Sequence, residues 1–180
     1  MLASPGYVRA VLLRDPIDRF LSSYADNVVR RRCDCFKHMG RRCAFPLSPD
    51  GVARFMRANP AWVSYDHMAP QVHFCGVQAP GFDAKRIWNR IGYYSPNAMA
   101  RVASELFDGR LDVPMAQGWG GARDRGMWEA RTAHMTASDS SALFRQALCA
   151  NRTVLKELRR AFDEDYEYFK LPEPDICSSA

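Results

Sequence analysis

Arg14 and Ser22 stand eight residues apart in the stretch Arg14-Asp15-Pro16-Ile17-Asp18-Arg19-Phe20-Leu21-Ser22, which has the residue types of an anion-binding corner. A guanidinium offers a planar fork of donors suited to bidentate phosphate contact. The apolar run before it, Val8 and Ala10 to Leu13, predicts a strand over about Tyr7–Leu13 that ends on this arginine. Pro16 suits a first helical position, where its missing N–H is not needed. The first helical turn is expected to add free backbone N–H groups and a positive dipole end. Ser22 falls about two turns along and presents a hydroxyl on the same helix. Asp15 is expected to cap that helix and so to position Arg14. Arg19 is out of phase with the apolar residues and is expected to act as an ion-pair partner. Pattern alone leaves a second reading open, a plain strand-turn-helix corner with a surface arginine.

The elements that must position this corner follow from periodicity. A helix is expected over Pro16–Arg32, with Ile17, Phe20, Leu21, Tyr24 and Val28 on its buried face. Ser48-Pro49-Asp50 opens a helix to about Ala58, and Asn59-Pro60 ends it. Trp62–Gln78 reads as mixed loop, with a short strand near Val72–Cys75. A second strand is expected over Arg86–Tyr94 and a helix over Pro96–Phe107, capped by Ser95 and ended by Asp108-Gly109. Residues 109–126 hold five glycines and form a candidate lid or acceptor-side loop. The last helical pattern runs from Ser138 to Phe169 with a break or cap at Asn151. No linker or repeat divides the chain, so a single domain is expected.

Other clusters carry weaker chemistry. Cys33, Cys35, His38 and Cys43 have zinc-binding residue types, but their spacing does not match the common structural sites, so no metal is expected. Six cysteines, an even count, suggest disulfides whose pairing the sequence does not fix; one of the three in the 33–43 loop is a candidate partner for Cys75. Asn151-Arg152-Thr153 is a glycosylation sequon, yet Asn151 also suits a helix N-cap, which is the preferred reading.

Three segments, in order along the chain, resemble the sulfotransferases that use 3′-phosphoadenosine 5′-phosphosulfate. They are Arg14-Asp15-Pro16-x-x-Arg19-x-x-Ser22-x-Tyr24, His67-x-x-Pro70-Gln71-x-x-x-Cys75 and Asp165-Tyr166-x-x-Phe169. The R-D-P form is closer to the Golgi carbohydrate sulfotransferases than to the cytosolic ones. The resemblance implies an α/β, P-loop-like sulfotransferase fold, with a parallel sheet covered by helices. It implies that Arg14 and Ser22 hold the donor's 3′-phosphate and that Arg131 and Thr136 approach the nucleotide. It makes His67 the candidate base, with a structural histidine as the alternative. The implied acceptor is a carbohydrate hydroxyl, and the implied setting is the Golgi lumen, reached by a type II membrane anchor. Only thirteen residues precede Arg14, and no G-x-x-x-x-G-K-[ST] loop occurs. All four lysines, Lys37, Lys85, Lys156 and Lys170, follow the motif. The family's leading strand, its 5′-phosphosulfate loop and the anchor are therefore expected to be missing here. That leaves a non-catalytic domain binding an anionic glycan or nucleotide as the alternative function.

Composition bounds these readings. At 180 residues and 47% hydrophobic, the chain can bury a real core and is not of disordered type. No apolar run reaches the length of a transmembrane helix. The net charge of +5 comes from arginine, which makes up all but four of the 25 basic residues. The densest basic region, Arg30–Arg32 with Arg41 and Arg42, lacks any helix-turn-helix, zinc-finger or RNA-binding signature, so no nucleic-acid partner is expected.

Overall fold

The computed structural model describes residues 8–30, 45–74, 77, 88–93, 99–109, 139–172 and 176–177. The chain folds as two compact units, one from Met1–Arg14 and Gly76–Ala137, the other from Asp15–Cys75 and Ser138–Ala180.

The first unit contains the sheet. Strands β1 (Ala10–Leu13) and β2 (Arg90–Tyr93) pair in parallel, with Ala10 opposite Arg90 and Leu13 opposite Tyr93. Helix α3 (Met99–Leu106) lies against β2. Gly92 permits this approach, because a Cβ there would stand 2.8 Å from Leu106 Cδ1. The helix ends as Asp108-Gly109 requires: both have positive φ, and the Gly109 amide returns to the Ser104 carbonyl at 2.9 Å. Asp108 then accepts both hydrogen bonds of a forked contact from Arg90 Nη2, at 2.8 and 3.0 Å, which ties the helix end to the strand.

The second unit is helical and holds the main core. Helix α1 (Pro16–Ser23) continues into a π-wound segment, Tyr24–Arg30. An unbroken α-helix to Arg32 is thus corrected. Asn27 and the β-branched Val28 and Val29 are weak α-formers, and the buried Asn27 amide donates to Ser23 Oγ at 3.0 Å. Helix α2 (Pro49–Ala58) has the bounds its caps predict, with Ser48 Oγ accepting from the Gly51 amide at 3.1 Å. Two short 3-10 turns follow, Pro60–Ser64 and Gln71–His73. The last helical stretch is three helices: α4 (Asp139–Ala150), α5 (Arg152–Ala161) and α6 (Asp163–Phe169). Asn151 caps α5 by accepting from the Val154 amide at 3.2 Å, so the cap reading of this residue holds.

Phe20 is the centre of the core. Its ring meets Tyr24, Phe55, Trp62 and Phe162 at centroid distances from 5.0 to 6.4 Å. All five residues of the expected α1 face are buried. Tyr24 spends its hydroxyl on the Pro46 carbonyl, 2.8 Å away. Gly51 sits beneath the same carbonyl, where a Cβ would stand 2.1 Å from Pro46 O. Gly51→Ala is therefore expected to cost about 1–3 kcal/mol through overpacking, readable as a lowered midpoint in thermal unfolding.

Cys149 of α4 pairs with Cys177, which holds the buried Ile176 against the helices. The other four cysteines lie outside the described residues. The bridge closes a span of 28 residues; loop-closure entropy for that length is worth roughly 3–4 kcal/mol. Cys149→Ser together with Cys177→Ser should lower the denaturant midpoint accordingly. An unchanged midpoint would show that the C-terminal segment docks without its covalent tie.

Candidate functional site

Helix α1 is anchored at its first turn by groups from three parts of the chain. Asp15 accepts from the Asp18 amide through Oδ1 at 2.8 Å, which is the expected N-cap. Its second oxygen, Oδ2, accepts from the Tyr166 hydroxyl of α6 at 2.7 Å. The Ile17 amide also favours the charged form of Asp15, and the Arg19 amide bonds the Asp15 carbonyl at 3.0 Å. Pro16 has no donor. Asp15 thus takes the Asp18 amide through its side chain and the Arg19 amide through its carbonyl.

The Asp15–Tyr166 contact is buried enough to shift both groups. Desolvation raises the Asp15 carboxyl above its ordinary value, outweighing the donors that favour its charge. Desolvation, then the hydrogen bond to Asp15 and its charge, push the Tyr166 hydroxyl far above the ordinary 10.0. Tyr166 therefore remains a donor at any physiological pH. Arg159 lies over the Tyr166 ring, 3.9 Å from its centroid. Arg159 also contacts Asp163, and Arg145 of α4 pairs with Asp18.

The neighbouring residue Asp165 faces the other way. It is fully buried, and its two oxygens accept from the amides of Gln71 and Val72 at 2.7 and 2.8 Å. Burial raises its carboxyl, against the opposing pull of those amides and of the nearby Arg19 charge. Arg19 donates to the Asp66 carbonyl at 3.2 Å and lies over the Phe74 ring at 5.4 Å. Its partners thus include a carbonyl, a ring and a nearby carboxylate. These contacts explain the 3-10 turn at Gln71–His73, where a strand is expected from sequence. The two amides that would open a ladder are taken by Asp165 instead.

Adjacent residues of α6 therefore join the two earlier motif segments. Tyr166 holds the Arg-Asp-Pro corner through Asp15, and Asp165 holds the His-x-x-Pro-Gln segment through its main chain. All of these contacts lie within the second unit. Sequence reasoning did not anticipate this joint. The only signal for it was the order of three family-like segments, which says nothing of which atoms meet.

Arg14, half-buried, directly follows β1 and is the last residue before the second unit; Ser22, half-buried, lies in the last turn of α1. His67 is exposed, with its ring tilted against Tyr65 at 5.4 Å. His73 is 3.7 Å from Glu164. Arg131 and Thr136 lie outside the described residues, as do His134, the glycine-rich stretch and the basic cysteine loop. Among the described residues, no three His, Cys, Asp or Glu side chains gather in a way that would hold a metal ion. Nor, among them, is any helix long and apolar enough to cross a membrane.

A family model described as the sulfotransferase family matches residues 2–172. No curated protein and no solved structure matches the chain significantly. The matched span includes all three motif segments that meet at Asp165 and Tyr166, and a mixed α/β architecture with a parallel strand pair is consistent with that fold. The chain belongs to the sulfotransferase family.

Proposed function

We propose that this protein transfers a sulfuryl group from 3′-phosphoadenosine 5′-phosphosulfate to a carbohydrate hydroxyl. The observation that carries the reading is the joining of the three motif segments at adjacent residues of α6.

In this reading Arg14 and Ser22 bind the donor's 3′-phosphate, with Arg131 and Thr136 as further nucleotide contacts. The half-buried setting of Arg14 and Ser22 suits the role, since each side chain is partly shielded yet reachable. In the reaction the acceptor oxygen bonds to sulfur as the bond to the bridging oxygen breaks. The electron pair leaves on the nucleotide's 5′-phosphate, and the hydroxyl proton passes to a base. His67, exposed beside Tyr65, is the candidate base. Positioning and cations supply most of the acceleration in transfers of this kind. The disulfide fits a secretory compartment, and the Golgi lumen is the proposed location.

Labelled donor incubated with the protein and a panel of neutral and acidic glycans tests the activity. Transfer of label to a glycan, with release of 3′-phosphoadenosine 5′-phosphate, is the expected result. Donor-nucleotide binding without transfer to any glycan would instead favour a non-catalytic binding domain.

A further inference from the structure

The family reading assigns roles to Arg14 and Ser22, but it gives none to the tyrosine that holds the residue between them. We infer that the Tyr166 hydroxyl is a positioning residue for 3′-phosphate recognition, acting through Asp15; this rests on the function proposed above. Asp15 is covalently next to Arg14 and caps the helix that carries Ser22. Both its oxygens are engaged, one by the Asp18 amide at 2.8 Å and the other by Tyr166 at 2.7 Å. The Asp18 bond is local and fixes the turn. The Tyr166 bond spans 151 residues and fixes that turn against α6. α6 is itself held, because Asp165 takes the amides of Gln71 and Val72. Arg159 over the ring and the buried position of Tyr166 hold the ring that carries the hydroxyl. The arrangement thus fixes the first turn of α1, the helix that carries Ser22 and whose cap residue directly follows Arg14. Precise placement matters here because a bidentate guanidinium contact is geometrically demanding.

Tyr166→Phe keeps the ring, its packing and the Arg159 contact, and removes only the hydroxyl. Asp15→Ser keeps a capping oxygen for Asp18 and loses the reach to Tyr166. Affinities for 3′-phosphoadenosine 5′-phosphate and for adenosine 5′-phosphate are measured on both variants and on the double variant. Each single variant is expected to weaken the 3′-phosphorylated ligand about tenfold and to leave adenosine 5′-phosphate unchanged. The double variant should be no weaker than either single one, because both break the same contact. Unchanged affinity in a folded Tyr166→Phe, or equal losses for both ligands, would overturn the inference and leave Tyr166 a purely structural residue. If the wild type fails to discriminate the two ligands, or does so without Arg14, the functional reading itself fails, and the inference with it.

Discussion

Asp165→Ala is expected to be the most destabilising single substitution at the site, costing about 2–5 kcal/mol. The carboxylate is buried and satisfies two main-chain amides 93 and 94 residues away. Truncation removes both acceptors and leaves the donors with no replacement, at about 1–3 kcal/mol each. The opposing effect is relief of the carboxylate's desolvation, the same burial penalty that raises its carboxyl above the ordinary 3.8. Stranded donors win because water has poor access to a buried amide such as that of Val72. Against a typical domain stability of about 5–15 kcal/mol, such a loss is readily measured in denaturant.

Asp165→Asn should cost less than alanine, since an amide oxygen still accepts, and its cost should depend on pH. The carboxyl sits above its unfolded value of 3.8 in the folded chain. Its protonation therefore favours folding. That contribution is present below the unfolded value and is lost as the pH rises through the folded one. The stability gap between wild type and Asp165→Asn should widen as the pH falls from neutral toward the ordinary carboxylate range. A gap that narrows on acidification would mean that the charged form is the favoured one, and the account of this site would be wrong.

The second large effect is on ligand binding. Arg14→Ala is expected to weaken 3′-phosphoadenosine 5′-phosphate by roughly a hundredfold. A bidentate contact supplies two charge-assisted hydrogen bonds, each worth about 1.5–3 kcal/mol. A hundredfold is about 2.7 kcal/mol, just below the sum of about 3–6 kcal/mol for two such bonds, because a half-buried guanidinium is partly screened by water. Stability should change little, as Arg14 lies outside the Phe20 core. Adenosine 5′-phosphate, lacking the 3′-phosphate, should bind both proteins equally.

Local features of this fold were legible in the sequence, and long-range ones were not. The Asp15, Ser48 and Asn151 caps each involve a bond to an amide three residues on, so residue type and place suffice to read them. The buried face of α1 followed from helical spacing. The π winding after Ser23 did not, because its apolar spacing still fits an α-helix. The turn at Gln71–His73 was misread as extended because Val72 and Phe74 favour strands. What overrides them is Asp165, more than ninety residues away, and no local pattern encodes that partner. The same limit hid Tyr166. Family resemblance named the segment that contains it, but the meeting of its hydroxyl with Asp15 is a fact of packing. The disulfide was likewise expected in kind but not in pairing, because six cysteines allow fifteen connectivities.

Calorimetric titration of wild type and Arg14→Ala with 3′-phosphoadenosine 5′-phosphate, beside adenosine 5′-phosphate, tests the central claim most directly. The account predicts that wild type prefers the 3′-phosphorylated ligand and that this preference disappears in Arg14→Ala while the fold persists. Equal binding of the two nucleotides by wild type, or a preference that survives loss of Arg14, would contradict it.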